Sequence, residues 1–299
     1  MECLKMSSIA PRPRVTGIHS IALRVPCYAL AIAFFRDVWL LEDMGERDDS
    51  HAFRTACADH DNLLLSSGEP GIVNISLTVA TREDLLSLER KIETSSHVVY
   101  ALSEADLAPG EAYGLVTTDP DGRQIRLVVP TRPDRPCEAV ADSLAPQNIG
   151  HVVLWTPDSS VSEAFYGLLG FSVTDRTHLG MSFLKCGNED HHSLALVGSK
   201  TGRAGLQHLA FDVGSIDNVM RNFARLRDLG VSISWGVGRH GPGNNVFSYY
   251  QDPAGNFLEY YGDMQKFPVD EDLETRFWGA EHKGDVWGVA GAPPEVFRQ

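Results

Sequence analysis

The run Ile149-Gly150-His151-Val152-Val153-Leu154 decides how this chain is read, because it occurs twice. Its earlier counterpart is Gly17-Ile18-His19-Ser20-Ile21-Ala22-Leu23. Each is short, apolar and rich in strand formers, with a histidine near its start. Each is followed by a helix-like stretch ending in aromatics, 31–39 with Phe34-Phe35 and 161–169 with Phe165-Tyr166. Further along, Ile72-Val73-Asn74-Ile75-Ser76-Leu77-Thr78-Val79 matches Leu206-Gln207-His208-Leu209-Ala210-Phe211-Asp212-Val213. Asp119-Pro120-Asp121-Gly122 matches Asp252-Pro253-Ala254-Gly255, each opening a turn and a strand. Proline fixes φ in such a turn and glycine accepts positive φ. The three matches are separated by 132, 134 and 133 residues, and three nearly equal offsets point to a duplication.

Helix signals repeat as well. Thr81 is a candidate N-cap, with Leu85, Leu88 and Ile92 on one face behind it. Ser215 is another, with Ile216, Val219, Phe223 and Leu226 on one face and Gly230 as the stop. The chain of 299 residues therefore divides into an N-terminal extension at 1–14, a first domain at 15–130, a proline-containing linker at 131–147, a second domain at 148–265 and a tail at 266–299. The tail carries Trp278 and Trp287 and is expected to pack over one domain.

Composition limits the partners. A formal charge of −14 argues against nucleic acid or an anionic membrane surface as a main partner. No run approaches the ~20 apolar residues of a spanning helix, and the start of the chain lacks a signal-peptide pattern. Cys3, Cys27, Cys57, Cys137 and Cys186 are scattered and odd in number, which reads as reduced thiols in a cytoplasmic protein.

The repeated positions differ in chemistry. The second half offers His151, His208 and Glu259 where the first has His19, Asn74 and Arg126. Two imidazoles and a carboxylate suit a divalent transition metal and leave open positions on it. A guanidinium has no lone pair to give and adds positive charge. Either histidine alone reads better as a satisfied core residue; the three at matched repeat positions reverse that and favour a metal site in the second half and a metal-free first half.

At these residues the sequence resembles the vicinal oxygen chelate (glyoxalase/bleomycin resistance/dioxygenase) superfamily and, within it, the two-domain type I extradiol catechol dioxygenases. The likeness runs from about Val15 to about Gly262. Its most specific segment is Gly238-Arg239-His240, then Tyr249, then Asp252-Pro253-Ala254-Gly255-Asn256-Phe257-Leu258-Glu259. Ser248 departs from the aliphatic residue or Phe usual before that tyrosine. His191-His192-Ser193-Leu194-Ala195-Leu196 is similar to the family's histidine-containing strand.

The resemblance implies an α+β fold of four βαβββ modules, two to each half-open barrel domain. It implies Fe(II), in some members Mn(II), held by His151, His208 and Glu259. His192, His240 and Tyr249 would be the catalytic side chains, with His192 chosen over His191 because it directly precedes Ser-Leu-Ala-Leu; alternation would send His191 to the opposite face. Ring cleavage needs a base for a catechol proton and an acid to assist O–O cleavage, and histidine titrates in the right range. His192 is assigned the proton, and His240 and Tyr249 hydrogen bonds to substrate oxygen. Arg239 is a candidate partner for an anionic substituent, a structural ion pair being its equal alternative. Trp235 stands five residues before His240, where relatives taking carboxylated catechols carry Arg.

The implied activity is extradiol cleavage of a substituted catechol with O2, giving a muconic semialdehyde-type acid, in a homo-oligomer. A glyoxalase-like lyase or isomerase on the same fold is one alternative; such relatives usually build the site across two modules with two glutamates. A metal-free drug-binding or resistance protein is another. The glycines of 236–241 precede a strand, so they do not form a phosphate loop. His51, His60, His97, His178 and His282 show no partner pattern and receive no role.

Overall fold

A computed structural model describes residues 14–132 and 143–298. The 1–13 part of the extension, the 133–142 part of the linker with Pro133 and Pro136, and Cys3 and Cys137 lie outside the described residues.

One sheet contains β1 (Val15–Val25), β2 (Glu42–Arg47), β3 (Ser50–Arg54), β4 (Leu63–Ser67), β5 (Gly71–Val79), β6 (Val99–Ala101), β7 (Glu111–Thr118) and β8 (Gln124–Pro130), in the order β2-β3-β4-β1-β5-β8-β7-β6. The other contains β9 (Asn148–Thr156), β10 (Ser172–Thr177), β11 (Met181–Lys185), β12 (Leu194–Gly198), β13 (Gly205–Asp212), β14 (Trp235–Arg239), β15 (Val246–Gln251), β16 (Phe257–Gly262) and β17 (Arg276–Trp278), in the order β14-β15-β16-β13-β9-β12-β11-β10-β17. Read from its far edge, the second sheet repeats the first strand for strand, with β17 from the tail added. With helices α1 (Tyr28–Ala33), α2 (Arg82–Thr94), α3 (Ser159–Leu168) and α4 (Ile216–Asp228), the chain is four strand-helix-three-strand modules. Neither sheet closes on itself, which gives the expected half-open α+β architecture.

Local chemistry explains the helix starts. Thr81 accepts from the Asp84 N–H, Ser215 from Asn218 and Asp158 from Ser160 and Val161. Each cap satisfies a backbone donor that the helix cannot, worth ~1 kcal/mol. Helix α2 buries the expected Leu85, Leu88 and Ile92. Helix α4 buries Val219 and Leu226, but takes in Asn218 and Asn222 rather than Phe223. Their amides donate to the carbonyls of Val213 and Leu144, so a hydrophobic pattern alone could not mark them. The helix expected at 31–39 starts earlier and widens into a π-turn at Phe34–Val38, where the Trp39 N–H reaches the Phe34 carbonyl. Phe34, Phe35 and Trp39 are all buried there.

The halves share one core. Trp39 stacks on Tyr260 with centroids 3.8 Å apart, and the Tyr260 hydroxyl donates to the Trp39 carbonyl at 2.8 Å. Arg123, behind the first Asp-Pro-x-Gly turn, binds Asp119 at 2.7 Å and Asp121 at 2.8 Å and also donates to the Trp155 carbonyl across the joint.

The cysteine reading needs correction. Cys27 and Cys186 are free, but Cys57 is disulfide-bonded. Pairing is a matter of spatial proximity, and scattered positions in sequence do not report it. Among the described residues no helix is long and apolar enough to cross a membrane.

Candidate metal centre and its cavity

Three adjacent strands bring the candidate ligands together. On β9, His151 pairs with Ala210 of β13, and Ala210 lies beside Glu259 of β16. His208 is two residues before Ala210, so alternation puts it on the same face. Ala210, with only a methyl group, occupies the middle of the row. Gly150 is required beside His151: a Cβ there would lie 1.7 Å from the Tyr261 hydroxyl.

The donor atoms converge. Nε2 of His151 and Nε2 of His208 each lie 3.1 Å from Oε2 of Glu259 and 3.4 Å from one another. All three residues are buried, Glu259 completely. His208 Nδ1 faces the Gln207 side-chain carbonyl, which can only accept; Nδ1 therefore carries the proton and Nε2 the lone pair. Asn245 donates to the other Glu259 oxygen at 3.1 Å. Burial alone would raise the Glu259 carboxyl, but His151 and His208 outweigh it and hold it below the usual carboxylate range. Burial lowers His208 to about 4, despite the opposing pull of Glu259. A buried, ionised carboxylate faced by two imidazole nitrogens is the chemistry of a divalent-metal site, and these residues fit one.

A cavity of about 370 Å³ opens over this triad. His151, His208, His192, His240, Tyr249 and Trp235 all line it. His240 Nδ1 donates to the Gly284 carbonyl at 2.9 Å, and its Nε2 lies 3.0 Å from the Tyr249 hydroxyl. Burial lowers the His240 imidazole. Burial, with His151 and His191 adding to it, lowers His192 well below the ordinary histidine value. Burial and then the Glu259 charge raise the Tyr249 phenol well above its ordinary range, so it stays protonated.

Several expectations change here. His191 and His192 precede β12 rather than lying on it, so alternation does not separate them; their Nδ1 atoms are 3.1 Å apart. Arg239 does not line the cavity. It donates to the Asn244 carbonyl at 2.6 Å, pairs with Asp263 at 3.5 Å and lies over the Trp287 ring, so the structural ion pair describes it and the substrate contact does not. His178 and His282, given no role from sequence, both line the cavity. The tail supplies more of its wall, including Trp278, Val286, Pro293 and Phe297. Gly241 admits Trp278: a Cβ there would come within 2.5 Å of the indole. Asn245 also serves the site without any sequence signal, because its bond to Glu259 is set by loop placement.

Two repeated barrels, one of them holding a buried two-histidine, one-carboxylate triad under an apolar cavity, define a metal-binding member of the vicinal oxygen chelate class. Residues 148–260 match the Glyoxalase/Bleomycin resistance protein/Dioxygenase superfamily. The chain is 30% identical to metapyrocatechase 2 of Cupriavidus necator over 60% of its own length and 62% of that protein's, under two thirds of the relative. It is 30% identical to biphenyl-2,3-diol 1,2-dioxygenase of Paraburkholderia xenovorans over 72% of this chain and 74% of that one. Among solved structures, the Mn(II)-bound glyoxalase from Novosphingobium aromaticivorans superimposes with a TM-score of 0.83 at 30% identity, covering 95% of this chain and 94% of the other. The chain belongs to this Glyoxalase/Bleomycin resistance protein/Dioxygenase superfamily.

Proposed function

We propose that the protein opens a catechol ring next to its hydroxyl pair, using O2 and Fe(II), with Mn(II) as the alternative metal, to give a muconic semialdehyde-type acid. The supporting observation is that one cavity is lined by His151, His208, His192, His240 and Tyr249, with the donor oxygen of buried Glu259 beside the two triad imidazoles. His151, His208 and Glu259 would hold the metal through their converging Nε2 and Oε2 atoms. A metal bound there supplies positive charge that lowers the pKa of a coordinated hydroxyl and open positions for substrate and O2. The lowered His192 is neutral at physiological pH and serves as acceptor for a catechol proton. With Nδ1–H fixed by Gly284, neutral His240 accepts at Nε2 from Tyr249, which leaves the phenol oxygen free to accept from a substrate hydroxyl. The walls formed by Val153, Trp155, Met181, Phe183 and Phe297 exclude water and favour an apolar ring substituent.

We further infer a division of labour: residues 15–130 act as scaffold, and 148–265 with the tail carry the chemistry. In the scaffold half, Arg126 bonds Glu111 at 2.7 Å, so an internal cation sits where the repeat would place a ligand. A lyase built across two modules would use two glutamates, whereas Glu259 is the one carboxylate in the triad. The test is anaerobic Fe(II) loading followed by O2 uptake with a catechol panel. A yellow ring-fission product with matching oxygen consumption is expected; isomerisation of a hemithioacetal without oxygen uptake would favour the lyase.

A further inference from the structure

Behind His192 runs a buried chain of hydrogen bonds that the proposed reaction does not use. The Trp278 indole N–H donates to Oδ2 of Asp175 at 2.8 Å. His191 Nε2 lies 3.1 Å from that same oxygen, and His191 Nδ1 lies 3.1 Å from His192 Nδ1. All four side chains are buried. The direction of the chain follows from its ends. An indole N–H has no lone pair and only donates, so Oδ2 is an acceptor. The His191 nitrogen facing that oxygen must then carry a proton. In the neutral ring its Nδ1 keeps the lone pair, and the proton between the two rings sits on His192 Nδ1. His192 Nε2 is left unprotonated, and it is the ring nitrogen still available to the cavity that His192 lines.

We propose that Asp175 and His191 are positioning residues that fix His192 in its Nδ1–H tautomer, and that Trp278 of the tail anchors the chain. This rests on the reading of His192 as acceptor of the substrate proton, since a base needs its lone pair turned toward the substrate. It also gives the tail a part in the chemistry. Strand β17 pairs with β10 in a register that sets Asp175 beside Arg276, two residues before Trp278. The docked tail thereby completes the hydrogen bonding of a carboxylate two side chains away from the cavity. No sequence motif marks Asp175 or His191 for this role, and 103 residues separate Asp175 from its indole partner.

The wild-type protein carrying Zn(II), which is diamagnetic, allows a direct reading by two-bond nitrogen–proton NMR. The His192 signals are assigned by their loss in His192→Gln. Expected in the wild type is a single tautomer protonated at Nδ1; protonation at Nε2 would overturn the proposal. Asp175→Leu removes the acceptor. Its Fe(II) form should lose ~10–100-fold in kcat, as for outer partners of a metal site, with KM changed less than ~3-fold. Asp175→Asn keeps an acceptor oxygen and should retain the Nδ1–H signature and most of kcat. Wild-type kcat in Asp175→Leu, or equal losses in both variants, would overturn the proposal. Because the spectrum does not require turnover, a wild-type protein inactive on catechols would count against the reaction alone.

Discussion

Trp39, in the first half of the chain, stacks on Tyr260 at 3.8 Å, and Tyr260 is the neighbour of the ligand Glu259. The first half of the chain thus braces the strand that carries Glu259. Trp39 is fully buried against Phe211 and Tyr250 as well. Trp39→Ala should cost ~3–5 kcal/mol, the usual penalty for emptying a large aromatic site. Denaturant titration would measure it, and metal content should fall in parallel. Full stability with lost metal would instead mean that Trp39 acts only locally.

Much of this was legible in the sequence because duplication leaves a trace that needs no geometry. The offsets aligned β1 with β9, β5 with β13 and β8 with β16, which are the central strands of each sheet. The same alignment exposed His151, His208 and Glu259 against His19, Asn74 and Arg126. The caps Thr81 and Ser215 were readable because an N-cap is a local hydrogen bond. What was not legible depends on distant contacts. Asp175 is one polar residue on a strand until Trp278 reaches it. His178 and His282 look idle until the tail folds back. Arg239 looked available to substrate until Asp263 and the Asn244 carbonyl claimed it. Cys57 looked solitary for the same reason.

Tyr249→Phe removes the hydroxyl that meets His240 Nε2 at 3.0 Å while preserving the ring that packs on Trp235. Metal content should be unchanged, and kcat should fall ~10–100-fold, the scale of one positioned hydrogen-bonding group. Because the wild-type phenol is held well above its ordinary range, its own ionisation should not appear in a pH–rate profile below ~10.

Phe297, near the end of the tail, lies 5.0 Å from the Tyr249 ring and 4.4 Å from Phe257. Phe297→Ala should open the cavity wall and raise KM ~10-fold for an aryl-substituted catechol, the scale of a lost apolar contact. Unsubstituted catechol should be affected less. Steady-state kinetics on the two substrates would show the contrast, and equal effects would place Phe297 away from the substituent.

Asp212, at the end of β13, is pushed up to about 6 by burial. An unfolded aspartate titrates near ~3.9. The folded state therefore holds this proton more tightly, so its contribution favours folding below about pH 4 and is lost as pH rises through about 6. The full shift would be worth ~3 kcal/mol, reduced by the solvent contact that the side chain keeps. Asp212→Asn should flatten stability between pH 5 and 7.5 by about 1–2 kcal/mol. Urea titrations at the two pH values would check it, and an unchanged slope would mean that the carboxylate is well solvated when folded.

The most direct measurement of the central claim is the fate of labelled oxygen. Fe(II)-loaded protein would be given a catechol under 18O2 and the product weighed by mass spectrometry. Ring cleavage at the His151-His208-Glu259 site should place both labelled atoms in one ring-opened acid, with the reaction abolished in Glu259→Ala. No labelled product from either the Fe(II) or the Mn(II) form, or undiminished labelling in Glu259→Ala, would contradict it.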